Sequence, residues 1–192
     1  MNFLAHLYLA GEDNELILGN FIADAVKGHA FDKYPAQVAK GILMHRSIDY
    51  FSDTHPVYLQ TVHRLAPTYH KFSGVITDMF YDHFLASSWS DYSDIPLEKF
   101  AKKSYNILKE HESTMPEKCR MILYYMSKHD WLSSYARKEG LRRALKGLSE
   151  RMKYYSPMDE AVDELDKNFD LYKNDFLGFF PLLQKHAEAL RS

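Results

Sequence analysis

Apolar residues recur along this chain at the three- and four-residue spacing that places side chains on one face of an α-helix. Strict alternation of β-branched residues is missing, and so are Asn-Gly and Asp-Gly hairpin turns. The pattern predicts an all-α fold. A first helix is expected over Asn2 to Leu9, ended by Gly11, and a second over Glu15 to Val26, stopping near Gly28. Pro35 suits the first position of a helix running through Phe51. Pro56 opens a short helix to Leu65, and Pro67 is expected to break the chain again. Phe72 to Ser88 carries an apolar stripe at Val75, Ile76, Met79 and Phe80, with His83 or Phe84 completing it. Asp94 and Pro96 precede a helix to about Glu110. Thr114-Met115-Pro116-Glu117 spells a capping box for a helix to Lys128. Leu141, Leu145 and Leu148 share one face of a helix over Glu139 to Lys153. Ser156-Pro157-Met158-Asp159 signals the start of a long acidic helix, kinked or divided at Pro181 and ending near Arg191. With no internal repeat, low-complexity tract or linker, residues 1–192 read as one domain.

Composition changes this picture little. At 46% hydrophobic and 26% charged residues, a 192-residue chain can bury a single core without disulfide or metal staples. The 14 tyrosines suggest half-buried positions, ring inside and hydroxyl at water. Cys119 is the only cysteine, which excludes an intrachain disulfide and fits a reducing, cytoplasmic setting. The apolar opening from Met1 to Ala10 has no cationic flank, since the first lysine is Lys27, and it contains His6; it does not read as a signal peptide. No stretch approaches the length of a membrane span, so no membrane partner is expected.

Net charge is −2, which gives no reason to expect a nucleic-acid partner, but charge is unevenly placed. Arg137, Lys138, Arg142, Arg143, Lys146, Arg151 and Lys153 face only two glutamates over the same stretch. From Asp159 to Asp175 the balance reverses, with seven acidic residues against two lysines. A basic face beside an acidic one suggests a docking surface, although a solvated helix face explains the same run.

Two polar clusters are not needed by a helical bundle. His45, Asp49 and Asp53 follow one another at four-residue spacing and stack on one helix face. Asp78 and Asp82 do the same, with His83 adjacent. Between Phe72 and Glu98 there is no Lys or Arg, so these carboxylates lack a local cation. A divalent metal would remove the repulsion, and bundles build such sites between facing helices. His6 and Asp24 are polar residues within apolar helical stretches and are further candidates. Each has a bland alternative: a hydrogen-bonded core histidine, an ordinary ion pair, or a solvated face. The remaining histidines read as surface or structural.

The chain resembles the acyl carrier protein phosphodiesterases. The resemblance is carried by Met1-Asn2-Phe3-Leu4-Ala5-His6-Leu7, by Gly19-Asn20-Phe21-Ile22-Ala23-Asp24, by Gly41 through Asp49 with Asp53 beyond, and by Asp78 through Leu85 followed by Trp89-Ser90. It covers the chain in length and order, strongly to Trp89 and diffusely after Leu97. It implies an all-helical bundle distantly like HD-domain phosphohydrolases, a divalent cation (typically Mn²⁺), and conversion of holo-acyl carrier protein to the apo form with release of 4'-phosphopantetheine. One departure is clear: the pair here is Asp82-His83 rather than His-Asp, so ligand roles cannot be copied from HD enzymes.

What the resemblance implies for the site is carried over only at matched positions. His6, His45, Asp82 and His83 are expected to include the metal ligands. Asp24, Asp49 and Asp78 are expected to be ligands, a general base, or groups that orient the histidines. Arg46 and Lys27 are candidate phosphate contacts, with an ordinary salt bridge as the competing reading for both. Acyl carrier proteins are acidic, so Arg142, Arg143 and Lys146 are expected to lead the docking surface. Two other readings stand beside this one. One is a metal phosphohydrolase acting on a nucleotide or other small phosphodiester; the other is a non-enzymatic helical binding module.

Overall fold

A computed structural model describes residues 1–151 and 157–192 of the chain. The expectations for Lys153 and Ser156 therefore lie outside the described residues. Among the described residues the regular structure is helical throughout: α1 (Phe3–Leu9), α2 (Asn14–Ile22), α3 (Ala36–Thr54), α4 (Pro56–Tyr69), α5 (Ser73–Ser87), α6 (Leu97–Glu110), α7 (Glu117–Lys128), α8 (Trp131–Ser134), α9 (Lys138–Ser149), α10 (Ala161–Lys167) and α11 (Phe169–Arg191). Short 3₁₀ turns join several of them. No described helix is long and apolar enough to cross a membrane.

The arrangement that positions the site begins with two glycines. A Cβ on Gly19 of α2 would lie 2.2 Å from the Val38 carbonyl oxygen, and one on Gly41 of α3 would lie 2.6 Å from that of Leu16. The two helices therefore cross backbone against backbone, closer than any side chain permits. Asn20 follows Gly19 on the buried side of α2. His45 lies one turn beyond Gly41 on the same face of α3.

α1 is short and starts without a side-chain cap of its own. α5 supplies one. The Asp82 carboxylate accepts the Leu4 N–H at 2.8 Å and the Ala5 N–H at 3.0 Å. That places an acidic group at the positive end of the α1 dipole and fixes α1 against the bundle. At its other end, Arg191 donates to the Leu9 carbonyl at 2.5 Å, and Lys40 donates to the Arg191 carbonyl at 2.8 Å, so the end of α11 closes onto α1 and α3.

α11 lays Phe176, Phe179 and Phe180 into the centre. There they pack edge-on or tilted against Tyr58, Tyr81, Phe84 and Tyr92. This corrects the expectation for tyrosine. Tyr58, Tyr81, Tyr135 and Tyr172 are fully buried, and their hydroxyls have internal partners instead of water: Asp78 and Gly74 for Tyr58, Thr61 for Tyr81, Asn2 for Tyr135, Glu164 for Tyr172. A buried network on the same side joins Thr61, Asp175 and Arg64.

Several expected boundaries move for physical reasons. α4 continues past Leu65 to Tyr69 with Pro67 inside its last turn, where only one backbone bond is lost. α11 runs unbroken through Pro181, because buried residues on both sides, from Phe176 to Leu183 and Ala187, hold it to the core. The acidic segment is instead divided at Asn168, between α10 and α11. Thr114 does not cap α7: its hydroxyl donates to the His111 carbonyl, and the helix starts after Pro116. α8 went unpredicted, being too short to show a period.

Candidate metal centre

Three helices bring His6, His45, Asp49 and Asp24 together. His6 projects from α1, buried among apolar neighbours, and stacks on the His45 ring with centroids 3.8 Å apart and planes 14° apart. Asp49, one turn beyond His45 on α3, reaches both rings: one oxygen lies 3.0 Å from His6 Nε2 and the other 3.1 Å from His45 Nε2. Asp24, in the 3₁₀ turn after α2, lies 3.4 Å from His45 Nε2. His6, His45 and Asp49 each offer a ligand atom, all within 4.8 Å of one another.

Both ring nitrogens of His6 face oxygens that can only accept. Its Nδ1 lies 3.3 Å from the Asn20 amide oxygen, which can only accept. Asn20 is held in that orientation by its own N–H, which donates to the Leu16 carbonyl at 3.4 Å. Burial and the neighbouring His45 pull the His6 imidazole down to about 4, so at neutral pH the ring is uncharged and carries a single proton. One proton cannot serve both the Asn20 oxygen at Nδ1 and the Asp49 oxygen 3.0 Å from Nε2, so one ring nitrogen is left lone pair against lone pair. A cation resolves that contact. His45 points the same way: both its ring nitrogens are buried without an aligned hydrogen bond, although Nε2 is close to two carboxylates. Imidazole, imidazole and carboxylate form a donor set that suits a borderline-hard divalent ion such as Mn²⁺. The residues present fit the implied metal.

Without such an ion the histidines and carboxylates shift one another. Burial pulls the His45 imidazole down, but Asp24 and Asp49 outweigh it and lift the group to about 9. Burial pushes the Asp49 carboxyl up, and His45 and His6 overcome this to hold it far below the usual carboxylate range. Asp24 is held low mainly by its contact with His45, and its side chain is 78% exposed. Asp78 of α5 stands beside this group. Its carboxylate accepts the Tyr58 hydroxyl at 2.6 Å, and it shares the Met1 ammonium with Asp49 at 3.0 and 3.2 Å. Asp53, one turn past Asp49, is exposed.

Other expected site residues fall elsewhere. Asp82 is 0% exposed and spends both oxygens on the α1 backbone, so its geometry is that of a helix anchor and not of a ligand. Burial, only partly offset by those two bonds, pushes its carboxyl up to about 7. His83 turns to the opposite side, where Nδ1 donates to the Tyr135 carbonyl at 2.7 Å and ties α5 to the end of α8. Asp82 and His83, adjacent in sequence, are thus committed to different neighbours, the α1 backbone and the Tyr135 carbonyl. Arg46 donates to the carbonyls of Val26 at 2.7 Å and Gly28 at 2.8 Å and lies over the Phe31 ring, so it anchors the loop after Asp24. Lys27, in that loop, is exposed. On α9, Arg142 is bound to the Asp159 carbonyl and the Asp163 carboxylate, and Lys138 pairs with Asp166, while Arg143 and Lys146 are exposed.

Asn20 and Tyr58 were missed as functional positions. The signal for Asn20 was available: an amide inside Leu16-Ile17-Leu18-Gly19-Asn20-Phe21-Ile22 has no reason to be there unless it bonds something buried. Tyr58 carries no such signal, since a tyrosine on an apolar face looks like core.

Comparison with known proteins agrees with this architecture's sequence signature. A family model described as acyl carrier protein phosphodiesterase matches residues 1–183. Proteins of that name from Photorhabdus laumondii, Klebsiella pneumoniae and Yersinia pestis are 31%, 29% and 28% identical over 189 residues. The match spans 98% of this chain in each case, and 96%, 98% and 98% of the relatives. No solved structure matches. With nearly the whole chain inside the family model, and relatives aligned from end to end, this protein belongs to the acyl carrier protein phosphodiesterase family, a family of phosphodiester hydrolases.

Proposed function

We propose that the protein acts in the cytoplasm on holo-acyl carrier protein, hydrolysing the phosphodiester between its serine and 4'-phosphopantetheine to give apo-acyl carrier protein and 4'-phosphopantetheine. His6, His45 and Asp49 would hold a divalent ion, Mn²⁺ being the first candidate. The observation that carries this reading is the neutral His6 ring set between two acceptors, Asn20 and Asp49, beside an unaligned His45. When bound, the ion supplies Lewis-acid neutralisation of the phosphoryl oxygens, the largest barrier to attack on an anionic diester.

The chain's own groups supply the rest. Asn20 keeps His6 in one ring orientation. Asp24 is ionised and open to solvent at the mouth, where it takes the proton from the attacking water. Asp78, oriented by Tyr58, adds negative charge beside Asp49 and strengthens cation binding. Lys27 contacts the phosphate from the loop that Arg46 holds in place. The new P–O bond forms as the bond to the carrier's serine oxygen breaks; that oxygen takes up a proton from solvent as it leaves, and no covalent enzyme intermediate forms. The frame is HD-like in the general sense that separate helices deliver histidine and aspartate to one centre. Of the basic face, Arg143 and Lys146 remain exposed to meet the acidic carrier, while Arg142 is committed to Asp163.

The test is intact-mass analysis of holo-acyl carrier protein incubated with the protein and Mn²⁺. Conversion to apo mass, abolished by chelator and by His45→Ala, is expected. An unchanged carrier mass with metal present would overturn the reading. Nucleotide diesters turned over as fast as holo-carrier would replace it with a small-molecule phosphohydrolase.

A further inference from the structure

A cavity of about 290 Å³ lies between the start of α1, α5 and the α8–α9 pair, and no residue of the metal centre lines it. Its inner wall is Asn2, Phe3 and Met79. These are chain neighbours of the site: Asn2 follows Met1, whose ammonium bridges Asp49 and Asp78, and Met79 follows Asp78 itself. Phe3 packs on Phe21 of α2, next to Asn20. Asn2 donates to the Met79 sulfur and bonds the Tyr135 hydroxyl, which ties the inner wall to α5 and the end of α8. The outer walls are Trp131 and Leu148, and Arg143 and Arg151 stand exposed at the rim, with Arg151 over the Trp131 ring.

The geometry points to this cavity as the site for the pantetheine arm of the substrate, on the proposed reading that the substrate is holo-carrier protein. The arm is an uncharged chain with a branched alkyl end, two amides and a terminal thiol. Apolar walls with few fixed polar groups suit such a ligand. Phe3, Met79, Trp131 and Leu148 receive its methyl and methylene groups. Asn2, Ser134 and the rim arginines offer hydrogen bonds to amides and hydroxyls. The cavity's inner wall is one residue along the chain from Met1 and Asp78, about 3.8 Å between successive Cα atoms, which is short against the length of the arm.

Gly147 of α9 permits a clean test. It lines the cavity, and a Cβ built there meets nothing within 4 Å. Gly147→Ala should therefore fold, and Gly147→Phe, with its fold checked by circular dichroism, sets a ring at the cavity wall. The probe is pantetheine itself, which lacks the phosphate, titrated calorimetrically into the full-length protein. Wild type and Gly147→Ala should bind it saturably, and Gly147→Phe should bind about tenfold more weakly or not at all. Mn²⁺ affinity should be the same in all three, and KM for holo-carrier should rise in Gly147→Phe. Equal pantetheine binding by wild type and Gly147→Phe, or no binding by wild type, would overturn the assignment. The two proposals fail separately. Loss of binding in Gly147→Phe with no carrier turnover by wild type would leave the arm site and remove the reaction. Turnover by wild type with Gly147→Phe unchanged would do the reverse.

Discussion

Gly19→Ala and Gly147→Ala are the same chemical change in two helices, and the structure assigns them opposite signs. In both, alanine gains about 1 kcal/mol of helix propensity over glycine. At Gly147 nothing opposes the gain, because the new methyl meets open space. At Gly19 the methyl carbon would sit 2.2 Å from the Val38 carbonyl oxygen and 2.7 Å from Gly41 Cα. Carbon and oxygen touch at about 3.3 Å, so α2 and α3 must part locally by about 1 Å. The obstructing atoms are backbone and cannot rotate away. Overpacking in a core costs about 1–3 kcal/mol, and a backbone obstruction belongs at or above the upper end. The net expectation is a loss of about 2–3 kcal/mol for Gly19→Ala, a Tm drop on the order of 5–10 °C for a chain of this size. The displacement falls between Asn20 on α2 and His45 on α3, so Mn²⁺ affinity should fall as well. Urea denaturation of metal-free protein, followed by circular dichroism, measures the first effect, and a Mn²⁺ titration measures the second. A Gly19→Ala protein as stable as Gly147→Ala, with unchanged Mn²⁺ affinity, would refute the close crossing as the device that sets the site.

Asn20→Leu should weaken Mn²⁺ about 10–100-fold while leaving a folded protein, because His6 loses the acceptor that orients its ring; metal titration with circular dichroism as control checks this. Asp82 makes stability depend on pH. Its folded-state value of about 7 exceeds the unfolded value near 3.8, so its contribution is complete below about pH 4 and lost as pH rises through about 7. Asp82→Asn should flatten the stability profile between those limits, as read by denaturant midpoints across pH, and a slope identical to wild type would contradict the assignment. Arg143→Glu should lower kcat/KM for holo-carrier and weaken its salt dependence, whereas Arg142→Glu chiefly breaks the contact with Asp163; equal effects would mean that the two arginines share one surface.

The helical class and most helix starts were legible because glycine and proline punctuate the chain and apolar spacing is regular between them. His45 and Asp49 were legible as a pair because four-residue spacing on one helix is a local property. What spacing could not reveal is which face of α5 meets the centre. Asp78 and Asp82 share a helix side, yet Asp78 reaches the site rim while Asp82 is drawn to the α1 N-terminus by two unsatisfied N–H groups. That demand is created by α1, roughly 80 residues away in sequence, and is invisible in the local pattern. How much of the basic run on α9 stays free was hidden for a similar reason, since the acidic residues of α10 pair with Lys138 and Arg142 only once the chain has folded.

The central claim is that His6, His45 and Asp49 form one cation site. Electron paramagnetic resonance of Mn²⁺ titrated into the purified protein tests it most directly. The account predicts a tight site in wild type that disappears in His6→Ala, His45→Ala and Asp49→Ala and survives in His83→Ala, whose imidazole serves the Tyr135 carbonyl. Tight binding that persists without His45, or that vanishes without His83, would contradict it.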